Sequence, residues 1–133
     1  DEASLTPRPN YWAAVLWKRT MGTRVLAAPA SPDANVRLYA HCLAGSRGGV
    51  GLVAINLGNE AKPLTLGQSG QLWSMTAAQL DSGTVMVNGI APSADARGQL
   101  SGLNGVRLNG STVVAPQSIS FIALPNAGNA ACR

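Results

Sequence analysis

Side chains able to do acid–base, nucleophilic or metal chemistry are few in this chain, and their spacing limits what it can do. Bond cleavage by a carboxylate pair needs two acids facing each other across the scissile bond. The six acids are Asp1, Glu2, Asp33, Glu60, Asp81 and Asp95. Five fall in segments that read as turn or loop, Glu60 falls at a strand edge, and no two pair. No residue of the chain is therefore assigned a catalytic role. His41 is the single histidine. It alternates out of phase with Val36, Leu38 and Ala40, which places it opposite the core side, as a surface or inter-domain residue. No Gly-x-Ser-x-Gly elbow supports serine chemistry. Gly48-Gly49-Val50-Gly51 is followed by no helix and so lacks the context of a phosphate loop. Cys42 and Cys132 are the two cysteines, and with no Cys-x-x-Cys and no Cys/His cluster neither a metal site nor a cofactor is expected. They form either a disulfide, in an oxidising compartment, or two free thiols, one buried as a small apolar group. Asn109-Gly110-Ser111 is a glycosylation sequon and leans toward secretion.

The rest of the composition is that of a covered or neutral surface. Hydrophobic residues make up 46% and charged residues 12%, against a usual charged share of about 25%. Net charge is +4, but the basic residues are scattered, with Lys18-Arg19 the one adjacent pair and no aromatic residues interleaved. That pattern reads as ordinary solvated surface and argues against nucleic acid. The longest unbroken apolar run, Tyr11 to Trp17, is far too short for a transmembrane segment. The chain starts at Asp1 with no signal peptide before it and reads as a piece of something longer.

These residues must be held by one helix and a set of short strands. Pro9 suits a first helical turn, Gly22 a helix stop, and Lys18 and Arg19 the negative end of the helix dipole. The run YWAAVLW between them is apolar on every face, which predicts a helix buried on all sides. A sandwich of this size cannot surround it, so a neighbouring body is expected to. From residue 23 the texture becomes short alternating runs broken by turn residues. Strands are expected at 23–28, 36–42, 50–57, 62–66, 71–76, 83–87, 106–108, 111–114 and 119–124. Pro63 marks 62–66 as an edge, and Asn88-Gly89 is a strong turn signal. Residues 91–105 read as a loop. Trp73 reads as core, and Trp12 and Trp17 as packing residues. The fold class is mainly β: an antiparallel β-sandwich preceded by one buried helix.

Five stretches resemble one family. PRPNYWAAVLWKRTMGTRVL at 7–26 is similar to a Pro-x-Pro-Asp-Tyr-Trp helix leading into a Gly-Thr-x-Val-Leu strand. VRLYAHC at 36–42 resembles a strand ending Tyr-x-His-Cys, VAINLGN at 53–59 an Ile-Asn-Leu strand and turn, and VMVNG at 85–89 continues the order. APQSISFIALPNAGNAAC at 115–132 looks like a final strand and closing Ala-Cys. The family is the heparanase and β-glucuronidase group, glycoside hydrolase family 79. The resemblance implies a parent with a (β/α)8 catalytic barrel and a side-packed sandwich, a retaining hydrolase of β-linked glucuronides. Its two catalytic glutamates would lie upstream of this chain. Residues 1–22 would then be the final loop and helix of the barrel, and 23–133 the C-terminal β-sandwich domain. The implied partners are that barrel, an N-terminal strand of the same protein that joins the sheet, and a glucuronic-acid-containing glycan or glucuronide as the parent's substrate. The family also pairs cysteines at the places of Cys42 and Cys132. The loop at 1–8 would lie on the barrel's catalytic face, which puts Asp1, Glu2 and Arg8 at a substrate rim. Export to a secreted or otherwise extracytoplasmic location follows from the same reading.

Two other classes remain open at this level. A carbohydrate-binding module would favour a row of exposed aromatics, and aromatics are only 5%. A structural interaction domain is the third reading.

Overall fold

A computed structural model describes residues 4–133. Helix α1 (Pro9–Thr20) is followed by strands β1 (Met21–Leu26), β2 (Val36–Leu43), β3 (Val50–Asn56), β4 (Lys62–Thr76), β5 (Met86–Val87), β6 (Ser93–Ala94), β7 (Leu100–Ser101), β8 (Val106–Val114) and β9 (Ser118–Leu124). A 3-10 turn at Ala130–Cys132 closes the chain. Every strand pair is antiparallel. The main sheet runs β1-β2-β3-β9-β4-β5, with β8 paired to β4, and β6-β7 form a separate small hairpin.

The long strand β4 makes two layers out of one hydrogen-bonded sheet. Its C-terminal half pairs β9 in the main layer, Leu72 opposite Ile122 and Trp73 opposite Phe121. Its N-terminal half pairs only β8. Between Thr65 and Ser69 the register slips, so that Leu66, Gly67 and Gln68 oppose Gly110 alone. Gly67 and Gly110 both have left-handed φ, 70° and 76°, a conformation glycine adopts at little cost. The bulge bends the β4–β8 ribbon across the sheet. Leu64, Leu108 and Val114 of the ribbon then share one core with Ala40, Leu52, Ala54 and Ile122 of the sheet. The mainly antiparallel sandwich expected from the sequence is therefore the observed architecture. Separate strands at 62–66 and 71–76 are a single bent strand, as are 106–108 and 111–114.

The opposite face of the sheet holds the second core. Val53, Phe121 and Trp73 align across β3, β9 and β4, and Trp12 and Leu16 of α1 pack on them. Central strand β3 is thus covered on both sides, which explains its nearly unbroken apolar run. Trp12, Leu16 and Thr20, spaced four apart, form the buried stripe of α1. The C-terminal end of the helix lies on β3 at Gly51, where a Cβ would collide with the Thr20 carbonyl. The helix shares its core with the sheet, but Tyr11 and Trp17 remain 43% and 41% exposed. The all-round burial expected of it is therefore only half met within this chain.

Candidate functional site

Of the described acids, Asp33, Glu60 and Asp95 are held in turns and an ion-pair cluster. Asp1 and Glu2 lie outside the described residues. Asp33 and Glu60, from two different turns, converge on Lys62, whose Nζ lies 3.3 Å from Asp33 Oδ2 and 3.1 Å from Glu60 Oε2. The Asn35 backbone N–H, 2.8 Å from Asp33 Oδ1, is the main cause holding the Asp33 carboxyl below its ordinary range, with Lys62 second. The hydrogen bond to Glu60, and then Asp33, raises the Lys62 ammonium above its own. A general acid needs a carboxyl pushed the other way. The cluster is a partly exposed clamp between two turns. Asp95 caps a turn of the β6–β7 hairpin by accepting from the Arg97 and Gln99 backbone N–H groups. Among the described residues no group of three or more His, Cys, Asp and Glu side chains is gathered as metal ligands would be.

Arg8, assigned to a substrate rim, sits immediately before α1 in extended conformation, exposed, with its guanidinium over Gly83. Cys42 and Cys132 are joined in a disulfide, with Cα atoms 5.4 Å apart. The tail is laid down beside it by reciprocal bonds, Gly48 N–H to the Cys132 carbonyl and Asn129 N–H to the Gly48 carbonyl, both 2.8 Å. Asn109 is exposed on β8 beside the bulge glycine.

Trp73 is core: it is 6% exposed and its Nε1 donates to the Leu103 carbonyl at 3.0 Å. The same carbonyl accepts from Arg19 Nη1 at 2.8 Å. Buried Leu103 thus ties the segment after the β6–β7 hairpin, which forms where the sequence reads as a loop over 91–105, to the helix face.

Beside α1 an apolar surface is left open. Trp17 stacks edge-on against His41, ring centres 5.3 Å apart, and His41 Nδ1 lies 2.6 Å from the Gly22 carbonyl. Val25 pairs with His41 across β1 and β2, and Tyr39 lies two residues along the same face. Val25 and Tyr39 are 70% and 49% exposed. Trp17, His41, Val25 and Tyr39 therefore form one contiguous patch beside α1. His41, half-buried, sits at the centre of that patch. Around the N-terminus of the helix, a hollow of about 300 Å³ opens between Pro9, Ile55, Met75, Leu80, Val85 and Ile119. Sequence reasoning placed no residue in this hollow, because its walls come from five separate segments. No helix among the described residues is long and apolar enough to cross a membrane.

Comparison with known proteins gives the kinship of the chain. Heparanase-like protein 1 of Arabidopsis thaliana is 29% identical over 174 aligned residues, covering 99% of this chain and 32% of that protein. Baicalin-beta-D-glucuronidase of Scutellaria baicalensis is 34% identical over 128 residues, covering 90% of this chain and 24% of that protein. Heparanase of Gallus gallus is 40% identical over 85 residues, covering 59% and 16%. The chain thus spans about a quarter to a third of the first two relatives. No family model matches it. Among solved structures, a GH30 endoxylanase from Clostridium papyrosolvens superposes with a TM-score of 0.46 at 19% identity, over 76% of this chain and 23% of that one. The chain is a homologue of heparanase-like and glucuronidase-type proteins along nearly its whole length, and it fits a C-terminal fragment of such an enzyme.

Proposed function

Taking that homology as the premise, we propose that the chain is the non-catalytic C-terminal β-sandwich portion of a secreted, retaining glycoside hydrolase that cleaves β-glucuronides. Its work is to support the catalytic barrel. One observation carries the reading: α1 is covered by the sheet on one side and presents Tyr11 and Trp17 on the other. Burying each such side chain contributes roughly 1.5–3 kcal/mol. The adjoining Val25–Tyr39 patch would extend the same interface. In this reading residues 1–22 form the last loop and helix of the barrel, and 23–133 the sandwich. Asp1, Glu2 and Arg8 would lie toward the rim of the substrate cleft.

The proposed N-terminal strand of the same protein would join an open edge of the sheet. Strand β8 is nine residues long and pairs only β4 among the described strands, with Val106 and Val113 half-exposed. Such an edge invites another strand. The disulfide and the exposed Asn109 sequon support passage through an oxidising, extracytoplasmic compartment.

The test is turnover of a chromogenic β-glucuronide by the purified chain. None is expected. Turnover abolished by Asp33→Asn or Glu60→Gln would place a catalytic acid within the chain and overturn the proposal.

A further inference from the structure

The cations that look scattered in sequence are gathered by the fold. At one end of the sheet, where Cys42, Val50 and Leu124 align, the loops carry Arg47 and Arg133 around the disulfide. Arg24 reaches the same corner, donating from Nη1 to the Ala131 carbonyl. Beside it a groove of about 490 Å³ is lined by Arg19 and Arg107 together with Ser69, Gln71 and Asn126. The described acids lie elsewhere. Asp33 and Glu60 flank the opposite end, where Val36, Asn56 and Ser118 align. Asp81 is bracketed by Leu80 and Ser82 in the hollow at that same end. Asp95 follows Ala94, which lines a hollow with Thr6 and Pro7 before the start of α1. Among the described residues, the one cation in an ion pair is Lys62, and it belongs to the acidic end. Five arginines therefore share one pole with no carboxylate partner among the described residues.

We propose that this pole, centred on the Arg19–Arg107 groove, binds an acidic polysaccharide chain through its carboxylate or sulfate groups. The inference rests on the glycoside hydrolase reading and adds to it a contact site for the glycan on the sandwich. Guanidinium forks match carboxylate and sulfate oxygens in bidentate geometry. Arg19 keeps donors beyond the one engaged with Leu103. Ser69, Gln71 and Asn126 supply the neutral donors and acceptors that sugar hydroxyls require. Single-stranded nucleic acid fits less well, because no aromatic side chain lines the groove to stack a base. With unneutralised charges concentrated at one pole, binding must weaken as salt rises.

The experiment titrates the full chain with three fluorescent probes at 50 and 200 mM salt: a heparin octasaccharide, a neutral cello-oligosaccharide of equal length, and a single-stranded DNA of matched charge. The octasaccharide should bind tightest at both salt levels, and the neutral probe should not bind. Arg19→Gln combined with Arg107→Gln should weaken octasaccharide binding at least about tenfold. Arg37→Gln combined with Arg97→Gln, away from the pole, should change it less than twofold, and circular dichroism should show both variants folded. Equal losses in the two variants, absence of octasaccharide binding at 50 mM salt, or tighter binding of the DNA would overturn the proposal. The hydrolase reading would survive each of these results, since its own test is glucuronide turnover.

Discussion

Asn56 concentrates more of the sandwich's polar satisfaction than any other side chain described. It is 1% exposed; its Nδ2 donates to the carbonyls of Glu60, Val114 and Ala115 at 2.8, 3.2 and 3.1 Å, and its Oδ1 accepts from Gly58 N–H at 2.9 Å. It thereby joins the turn after β3 to the end of β8, clamping the two layers at one corner. Removing it strands buried carbonyls, a cost of about 2–3 kcal/mol. Asn56→Ala should therefore lower the thermal midpoint by roughly 10 °C, read by circular dichroism on the folded protein. Asn88 does comparable work at the other side of β4. It and Gly89 take positive φ, 49° and 80°, and its side chain bonds the Leu72 and Asn104 carbonyls and the Ser74 N–H. The turn at Asn88-Gly89 is legible in sequence because its signal is local. The role of Asn56 is not, because two of its partners, Val114 and Ala115, are brought to it from 58 and 59 positions away.

Docking of α1 on β3 depends on the missing side chain of Gly51. A Cβ there would meet the Thr20 carbonyl and, at 3.2 Å, Met21 Sδ. Gly51→Ala should lift the end of the helix and cost about 1–3 kcal/mol. A red shift in tryptophan emission would report it, since Trp12 lies on the buried face of the helix. Strand positions are largely readable because alternation survives in 36–42 and short apolar runs mark 50–57 and 119–124. The continuity of β4 was not, since Gly67 and Gly70 resemble a turn until β8 is seen to run alongside with its own glycine bulge at Gly110. The helix misled in the opposite direction. Its run YWAAVLW is apolar all round, yet only Trp12, Leu16 and Thr20 are buried. Composition reports what a helix can bury and not which surfaces are supplied within one chain. The gathering of arginines at one pole was invisible for the same reason: Arg19, Arg47, Arg107 and Arg133 meet only through strand pairing.

At the scale of the whole molecule, the Cys42–Cys132 bond closes nearly the entire β domain, with a sequence separation of 90. The chain-entropy model gives roughly 4–5 kcal/mol for such a loop. Cys42→Ser with Cys132→Ser should lower the thermal midpoint by more than 10 °C, and reductant should affect the parent chain and leave the double variant unchanged. A chain with an apolar helix face and an open β8 edge should also self-associate when produced alone. The most direct test of the central claim is hydrogen exchange of α1 and β1–β2, measured on this chain alone and on the same chain joined to its proposed catalytic barrel. The account predicts that Tyr11–Trp17 and Val25–Tyr39 gain strong protection in the joined protein, and that Trp17→Asp with Tyr39→Asp abolishes the gain. Equal protection of these segments in both forms would mean that the aromatic face docks on nothing, and it would contradict the account.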